Sequence, residues 1–241
     1  MINLVEWDTK HFGIKVGVYD VSHSDKFDAN AFNIEVKLGG YDVVYIKSLH
    51  RIEQLDVLNV FCNERIVYEQ MYNSYNPTLT YSISSLKNAP IRSYKYKEIT
   101  KELIQLTLDS GLYSRYNLDS RFSKKMFELL YRNWLLNSIN TDFAKDVLVY
   151  TDKDKPIGLL TYDIHGNTST IGIIAVNSNY RGQYIGSTLL DYYKFLQPLL
   201  VSKLKVVTQG VNHQARFFYE KNGYQIEEIS YIYHYWINPI Y

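Results

Sequence analysis

The segment Ile171–Gly186, IGIIAVNSNYRGQYIG, constrains this chain more than any other. An apolar, β-branched run passes directly into a turn carrying Arg181, Gly182 and Gly186, and the pattern beyond it, to about Phe195, is helical. A strand, turn and helix joined this tightly aim a helix N-terminus and several backbone N–H groups at one spot, where a phosphate would bind. Gly182 lets the backbone come close to a ligand, and Gly186 leaves room for a pyrophosphate. The segment is neither a nucleoside-triphosphatase phosphate loop, which needs Lys followed by Ser or Thr, nor a dinucleotide fingerprint, whose third glycine and later acidic residue are missing. Taken alone it equally fits an ordinary strand-to-helix turn.

A second segment lies about 30 residues downstream: Thr208–Tyr224, TQGVNHQARFFYEKNGY. Asn212 is placed to cap a helix whose Ala215 and Phe218 face inward, and Gly223 suits its C-terminal end. Together the two segments resemble the acetyl-coenzyme A site of the GCN5-related N-acetyltransferases (GNAT). That family's pattern is Arg/Gln-x-x-Gly-x-Gly/Ala, then Asn-x-x-Ala-x-x-x-Tyr-x-x-x-Gly-Phe/Tyr. Arg181, Gly186, Asn212, Ala215, Tyr219, Gly223 and Tyr224 match it. There is one departure, since the first glycine of the loop pattern is Tyr184, a bulkier wall near the phosphates.

The resemblance implies an α+β fold, with a mixed, mostly antiparallel sheet flanked by helices, and acetyl-CoA as cosubstrate without a metal. It implies that Ile173, Ile174, Ala175 and Val176 pair with the pantetheine arm as another strand would. Arg181, Gly182, Gln183, Tyr184, Ile185 and Gly186 would take the pyrophosphate, and Asn212 would hydrogen-bond the arm. Tyr219 would be the general acid that protonates the departing thiolate; on its own it equally fits a packing aromatic, one of 24 tyrosines.

A narrower resemblance covers nearly the whole chain. The opening Leu4–Gly13, LVEWDTKHFG, the Ser114-Arg115-Tyr116 run followed by Tyr131 and Trp134, and the ending Tyr231–Trp236, YIYHYW, look like the TDP-fucosamine N-acetyltransferases of surface-polysaccharide synthesis. Its implications are acetylation of a nucleotide-linked 4-amino-4,6-dideoxyhexose, substrate contacts from Trp7, His11, Phe12, Arg115 and Tyr116, and a homodimer, for which the aromatic ending is a further motive. Without the resemblance, Trp7, His11 and Phe12 fit a hydrophobic anchor of the first strand, and Arg115 fits an exposed residue before a helix. No base stands out: His165, Asp163 and Asp119 are candidates. The alternatives are a GNAT enzyme for another amine (a 3-amino sugar nucleotide, an aminoglycoside or a peptide) and a non-catalytic coenzyme A sensor.

Composition narrows the class without naming an activity. A chain of 241 residues, 46% hydrophobic and 21% charged, is globular. With Lys plus Arg at 26 and Asp plus Glu at 25, no global field draws it to nucleic acid or anionic lipid. A lone cysteine, Cys62, excludes an intramolecular disulfide and fits a reducing compartment. The opening carries no basic n-region before an apolar run, and no stretch approaches the ~18 apolar residues of a membrane span, so a cytoplasmic protein without membrane insertion is expected.

Patterning predicts a smaller N-terminal α/β lobe over residues 1–90, forming the sugar-nucleotide side, and an acetyltransferase domain over 91–241, joined at the turn-forming KNAPI, Lys87–Ile91. In the first unit strands are predicted at Ile14–Val21, Val43–Ile46, Ile66–Met71 and Leu79–Ile83, with helices near Asp28–Lys37 and Ile52–Val60. In the second come helices at Thr100–Leu108 and Ser123–Ile139, a meander of strands between Asp146 and Val176, the helix from Gly182, a strand at Lys203–Thr208, the helix from Asn212 and a last strand, Tyr224–Trp236.

Overall fold

The computed structural model describes residues 1–21, 27–73 and 82–237. Strand Asn3–Leu4 (β1) leads into helix Glu6–Phe12 (α1), strand Val16–Asp20 (β2), helix Ala29–Gly39 (α2), strand Val43–Ser48 (β3), helix Glu53–Val57 (α3) and strand Phe61–Met71 (β4). Helix Ile83–Lys87 (α4), strand Ile91–Ser93 (β5) and helices Lys101–Ser110 (α5), Arg115–Leu118 (α6) and Lys124–Asn140 (α7) follow. The meander is Asp146–Asp152 (β6), Lys155–His165 (β7) and Thr168–Val176 (β8). Helix Ile185–Phe195 (α8), strand Lys203–Gln209 (β9), helix His213–Lys221 (α9) and strand Gln225–Trp236 (β10) complete the chain.

Side-chain caps fix the helix starts. Asp28 accepts from the N–H of Asn30 and Ala31 at 3.0 Å, Thr100 from Leu103 at 3.3 Å, and Ser123 from Met126 at 3.2 Å, each satisfying donors that a first turn leaves open. In α7 the stripe Phe127, Leu130, Tyr131 and Leu135 is buried.

The strands form one sheet in the order β1-β2-β3-β10-β4-β9-β8-β7-β6-β5. β10 runs antiparallel to both of its neighbours, β3 and β4, with Tyr231 opposite Ser48 on one side and Glu64 on the other. Alternation along the strands sends side chains to cores on both faces of the sheet. Val147, Val149, Leu159 and Ile173 pack under α5 and α7, while Leu148, Leu160, Ile171 and Val206 pack under α8 and α9. Among the described residues no helix is long and apolar enough to cross a membrane.

One irregularity shapes the centre of the sheet. β8 pairs with β7 through Thr161↔Ile173 and Tyr162↔Ile171, so Gly172 is an extra residue, a β-bulge. A Cβ at Gly172 would lie 3.0 Å from Thr161 Oγ1, and that same oxygen accepts from the N–H of Ile173 at 3.0 Å. A bulge bends its strand, and β8 separates from β9 at this point. Their parallel pairing ends at Ile171↔Val206; beyond it β8 pairs only with β7, and β9 only with β4. A gap opens between two strands of one sheet.

Most predicted elements are present with ends shifted by a few residues. Three differences have physical causes. Trp7, His11 and Phe12 lie on a helix, α1, because Gly13 can take φ 68 and close it as a left-handed cap. Ile83, predicted as the end of a strand, opens α4, where Ser82 accepts from the N–H of Ser85 at 3.2 Å; residues 79–81 of that predicted strand lie outside the described residues. Arg115 is not exposed ahead of a helix but lies within α6, its side chain 19% exposed.

Candidate active site

The gap between β8 and β9 is the inner part of a cavity of 860 Å³, a size usual for small-molecule sites. Ile173 donates its N–H to Thr161 and Asn177 donates to the carbonyl of Ile157, both towards β7. Backbone alternation therefore turns the N–H groups of Ile174 and Val176 to the open side. This edge can pair with an extended ligand.

At the end of β8 the chain makes a 3-10 turn, Ser178–Tyr180, and enters α8 through Arg181–Tyr184. Gly182 has φ 77 and Tyr184 has φ 62, and these left-handed residues turn the backbone into the helix. No side chain caps α8, so its first N–H groups are left for a ligand. Arg181 Nε donates to the carbonyl of Val176 at 3.1 Å and braces the turn. A Cβ on Gly186 would lie 3.1 Å from the Phe218 ring, so this glycine lets α8 approach α9.

Asn212 caps α9 as predicted: its side-chain oxygen accepts from the N–H of Ala215 at 3.2 Å. Gly223 takes φ 85 beyond the helix end. Tyr219 is 4% exposed, with its ring 5.7 Å from that of Tyr68 and 6.0 Å from that of Tyr224. Among the described residues its hydroxyl has no hydrogen-bond partner, and it lines the cavity. Burial, helped by neighbouring Tyr68, raises its pKa, so it stays protonated across the physiological range.

The other end of the cavity is a chamber formed by β4, the end of α5, α6 and α7. Arg65, Asp109, Arg115, Tyr131 and Trp134 line it. Arg65 donates to Glu228 at 3.1 Å; burial, then repulsion from Arg115, outweighs the pull of Glu228 and lowers its pKa. Asp109 accepts from Gln105 Nε2 at 2.8 Å. The Arg115 guanidinium lies over Tyr45, 3.9 Å from the ring centroid, donates to the Tyr116 hydroxyl, and stands 3.8 Å from Asp8 Oδ2.

Of the residues singled out from the sequence, Ile173–Val176, Arg181, Gly182, Tyr184, Ile185, Gly186, Asn212, Tyr219, Arg115 and Tyr116 all line this cavity. Gln183, Trp7, His11 and Phe12 do not. Phe12 instead packs on Tyr116 at 5.5 Å and Phe122 at 5.0 Å, behind the chamber wall. Among the candidate bases, His165 pairs with Asp163 at 2.9 Å at the far end of β7, and Asp119 is buried against His234; none of the three lines the cavity. Arg65 and Asp109 stand in no motif and carry no signal in the sequence, whereas Tyr131 and Trp134 belong to the run that carries the narrower resemblance, without a site role of their own.

Residues 144–226 match the acetyltransferase (GNAT) domain. This is the span that builds the gap, the turn and α9. Three solved structures share the fold. A functionally unknown conserved protein from Staphylococcus epidermidis ATCC 12228 superposes with a TM-score of 0.62 at 13% identity, covering 94% of this chain and 87% of its own. A GCN5-related N-acetyltransferase from Sphaerobacter thermophilus gives 0.55 at 11% identity, covering 99% and 76%. A tandem GNAT protein from the clavulanic acid biosynthesis pathway gives 0.51 at 11%, covering 88% and 69%. No curated protein matches the chain in sequence. The chain has the GNAT fold, an α+β mixed sheet flanked by helices. By its domain it is an acetyltransferase.

Proposed function

We propose that this protein transfers the acetyl group of acetyl-CoA to the amine of a nucleotide-linked 4-amino-4,6-dideoxyhexose, with TDP as the nucleotide, a step towards a surface polysaccharide. The observation that carries the coenzyme half is the separation of β8 from β9 at the Gly172 bulge, which leaves an open strand edge leading to an uncapped helix N-terminus. The pantetheine arm lies along Ile173–Val176, the pyrophosphate meets the turn Arg181–Gly186, and Asn212 borders the arm from the start of α9.

The sugar amine attacks the thioester carbonyl, whose oxygen is polarised by a free amide of β8. As the C–S bond breaks, Tyr219 gives its hydroxyl proton to the leaving sulfur. Because burial favours the protonated phenol, the gain from this donor is modest, ~10²-fold. Most of the acceleration comes from holding amine and carbonyl in attack geometry, which removes about 7 to 11 kcal/mol of barrier in well-oriented systems. The amine's proton leaves through the chamber that Asp109 lines.

The acceptor half is supported by the whole-chain resemblance and by the chamber's chemistry. Arg65 and Arg115 supply positive charge for a diphosphate, and Tyr131 and Trp134 supply aromatic surface for a sugar or base. Arg65 lies in the first 90 residues, in line with an N-terminal unit that furnishes the sugar-nucleotide side. The donor and Cys62, which is free, fit a cytoplasmic reaction. The homodimer rests on resemblance and on the aromatic ending, of which Tyr233 and His234 are buried in β10 while Tyr231, Tyr235 and Trp236 are only partly covered. Sedimentation at micromolar concentration tests it.

The deciding experiment is thiol release from acetyl-CoA with a panel of TDP- and UDP-linked 4-amino and 3-amino dideoxyhexoses. Turnover confined to a TDP-4-amino sugar is expected. Silence across the panel while coenzyme A still binds overturns the acceptor assignment and leaves the coenzyme site standing.

A further inference from the structure

Tyr184 is held at φ 62, a backbone conformation that glycine adopts freely and a tyrosine adopts only under strain. Its ring gains little burial in return, for the residue is 62% exposed. Across from it α9 presents Phe217, which is 68% exposed, and Lys221 one turn further along the same face. The Lys221 ammonium stands 5.8 Å from the centroid of the Tyr184 ring, so these two elements meet at one place. Tyr184, Phe217 and Lys221 all line the cavity, next to the open amides at the start of α8.

Apart from the contact between the Lys221 ammonium and the Tyr184 ring, this strained, solvent-facing aromatic and the exposed Phe217 ring beside an anion-binding turn pack against little of the chain itself. The arrangement offers π-surface and positive charge to whatever lies beyond the pyrophosphate. In coenzyme A that part is adenosine 3′-phosphate, a flat base carrying a phosphomonoester. We propose that Tyr184 and Phe217 form a stacking surface for the adenine ring and that Lys221 receives the 3′-phosphate. The assignment rests on coenzyme A occupying the cavity, and it makes Tyr184 a device for holding the nucleotide end. Stacking tolerates the loss of a hydroxyl but not of a ring, and a lysine reads the phosphate as a point charge.

Calorimetric titration tests this with three probes, coenzyme A, 3′-dephospho-coenzyme A and S-acetylpantetheine, the last lacking the nucleotide. Tyr184→Asn keeps a residue that tolerates positive φ while deleting the ring. Both Tyr184→Asn and Phe217→Ala are expected to raise the Kd of the two nucleotide-bearing probes by about tenfold and to leave S-acetylpantetheine unchanged. Tyr184→Phe is expected to bind like the parent, and Lys221→Met to lose the parent's preference for coenzyme A over its dephospho form. The ligand-free Tyr184→Asn variant should melt no lower than the parent, which separates lost binding from lost folding. The proposal is overturned if the ring-deleting variants bind coenzyme A as the parent does, or if S-acetylpantetheine weakens in parallel, since the rings would then merely support the turn. A parent that binds no coenzyme A at all removes the coenzyme site itself, and the stacking surface with it.

Discussion

The Nδ1 of His234 lies 2.8 Å from Oδ2 of Asp119, both side chains buried, and joins the last strand to the end of α6 behind the chamber lined by Arg65 and Arg115. The same Asp119 oxygen accepts from Trp236 Nε1 at 2.9 Å, and Arg121 Nε donates to Oδ1 at 2.9 Å. Burial disfavours charge on Asp119, but the hydrogen bonds from His234, Arg121 and Trp236 outweigh it and hold the carboxyl well below the usual range. On His234 burial outweighs the pull of Asp119, so the imidazole is neutral. Its Nδ1–H then faces Asp119, and its Nε2 faces Arg115 Nη1 at 3.4 Å.

This pair predicts how stability depends on pH. Burial pushes the His234 pKa from 6.5 down to about 4, so between these values the unfolded chain binds a proton that the folded chain does not. Stability therefore falls as pH drops through this window, by about 3 kcal/mol in all. His234→Asn retains a donor for Asp119 but cannot titrate, and its melting temperature is expected to vary less between pH 6.5 and 4 than the parent's. Parallel melting curves for the two proteins would refute the assignment.

Tyr219→Phe deletes a hydroxyl with no hydrogen-bond partner among the described residues, so the fold and the Kd for acetyl-CoA should be unchanged. The rate constant for thiol release should fall by ~10²-fold. An unaltered kcat would remove Tyr219 from the chemistry and leave it as a packing aromatic.

Thr161 holds the bulge that opens the sheet. Thr161→Val leaves the N–H of Ile173 buried without its acceptor, a cost of about 1–3 kcal/mol, and should lower the melting temperature by about 3–8 °C. Coenzyme affinity should weaken too, while Thr161→Ser restores both. A valine variant that melts and binds like the parent would show that the strand separates for another reason.

Asp8 and Arg115 answer each other across the chamber wall, with Asp8 also accepting from the Tyr116 hydroxyl at 2.9 Å. Arg115→Met strands a buried carboxylate and is expected to cost about 3 kcal/mol. Adding Asp8→Asn should recover part of that loss, with a coupling of about 1–2 kcal/mol in a urea-unfolding cycle. Strict additivity would mean that the two charges do not interact.

The turn and helix on which the proposed coenzyme site rests were legible from sequence because each of their features is local. A positive φ at Gly182, a cap at Asn212 and a helix stripe ending at Gly223 are settled by neighbours within a turn or two, where residue type and spacing decide the backbone. Even the departure at Tyr184 was visible, although only the backbone angle shows it to be strained. The chamber lined by Arg65 and Arg115 was not legible. Arg65 meets Glu228 across 163 residues, His234 meets Asp119 across 115, and Arg115 proves to be paired with Asp8 rather than free. Such contacts depend on β10 entering the sheet between β3 and β4, a matter of long-range strand pairing that no local propensity encodes. The gap itself lies between these cases: Gly172 inside an apolar strand is a local sign of a bulge, but whether β9 follows β8 past it is decided by β4, which holds β9 in place as β8 bends away.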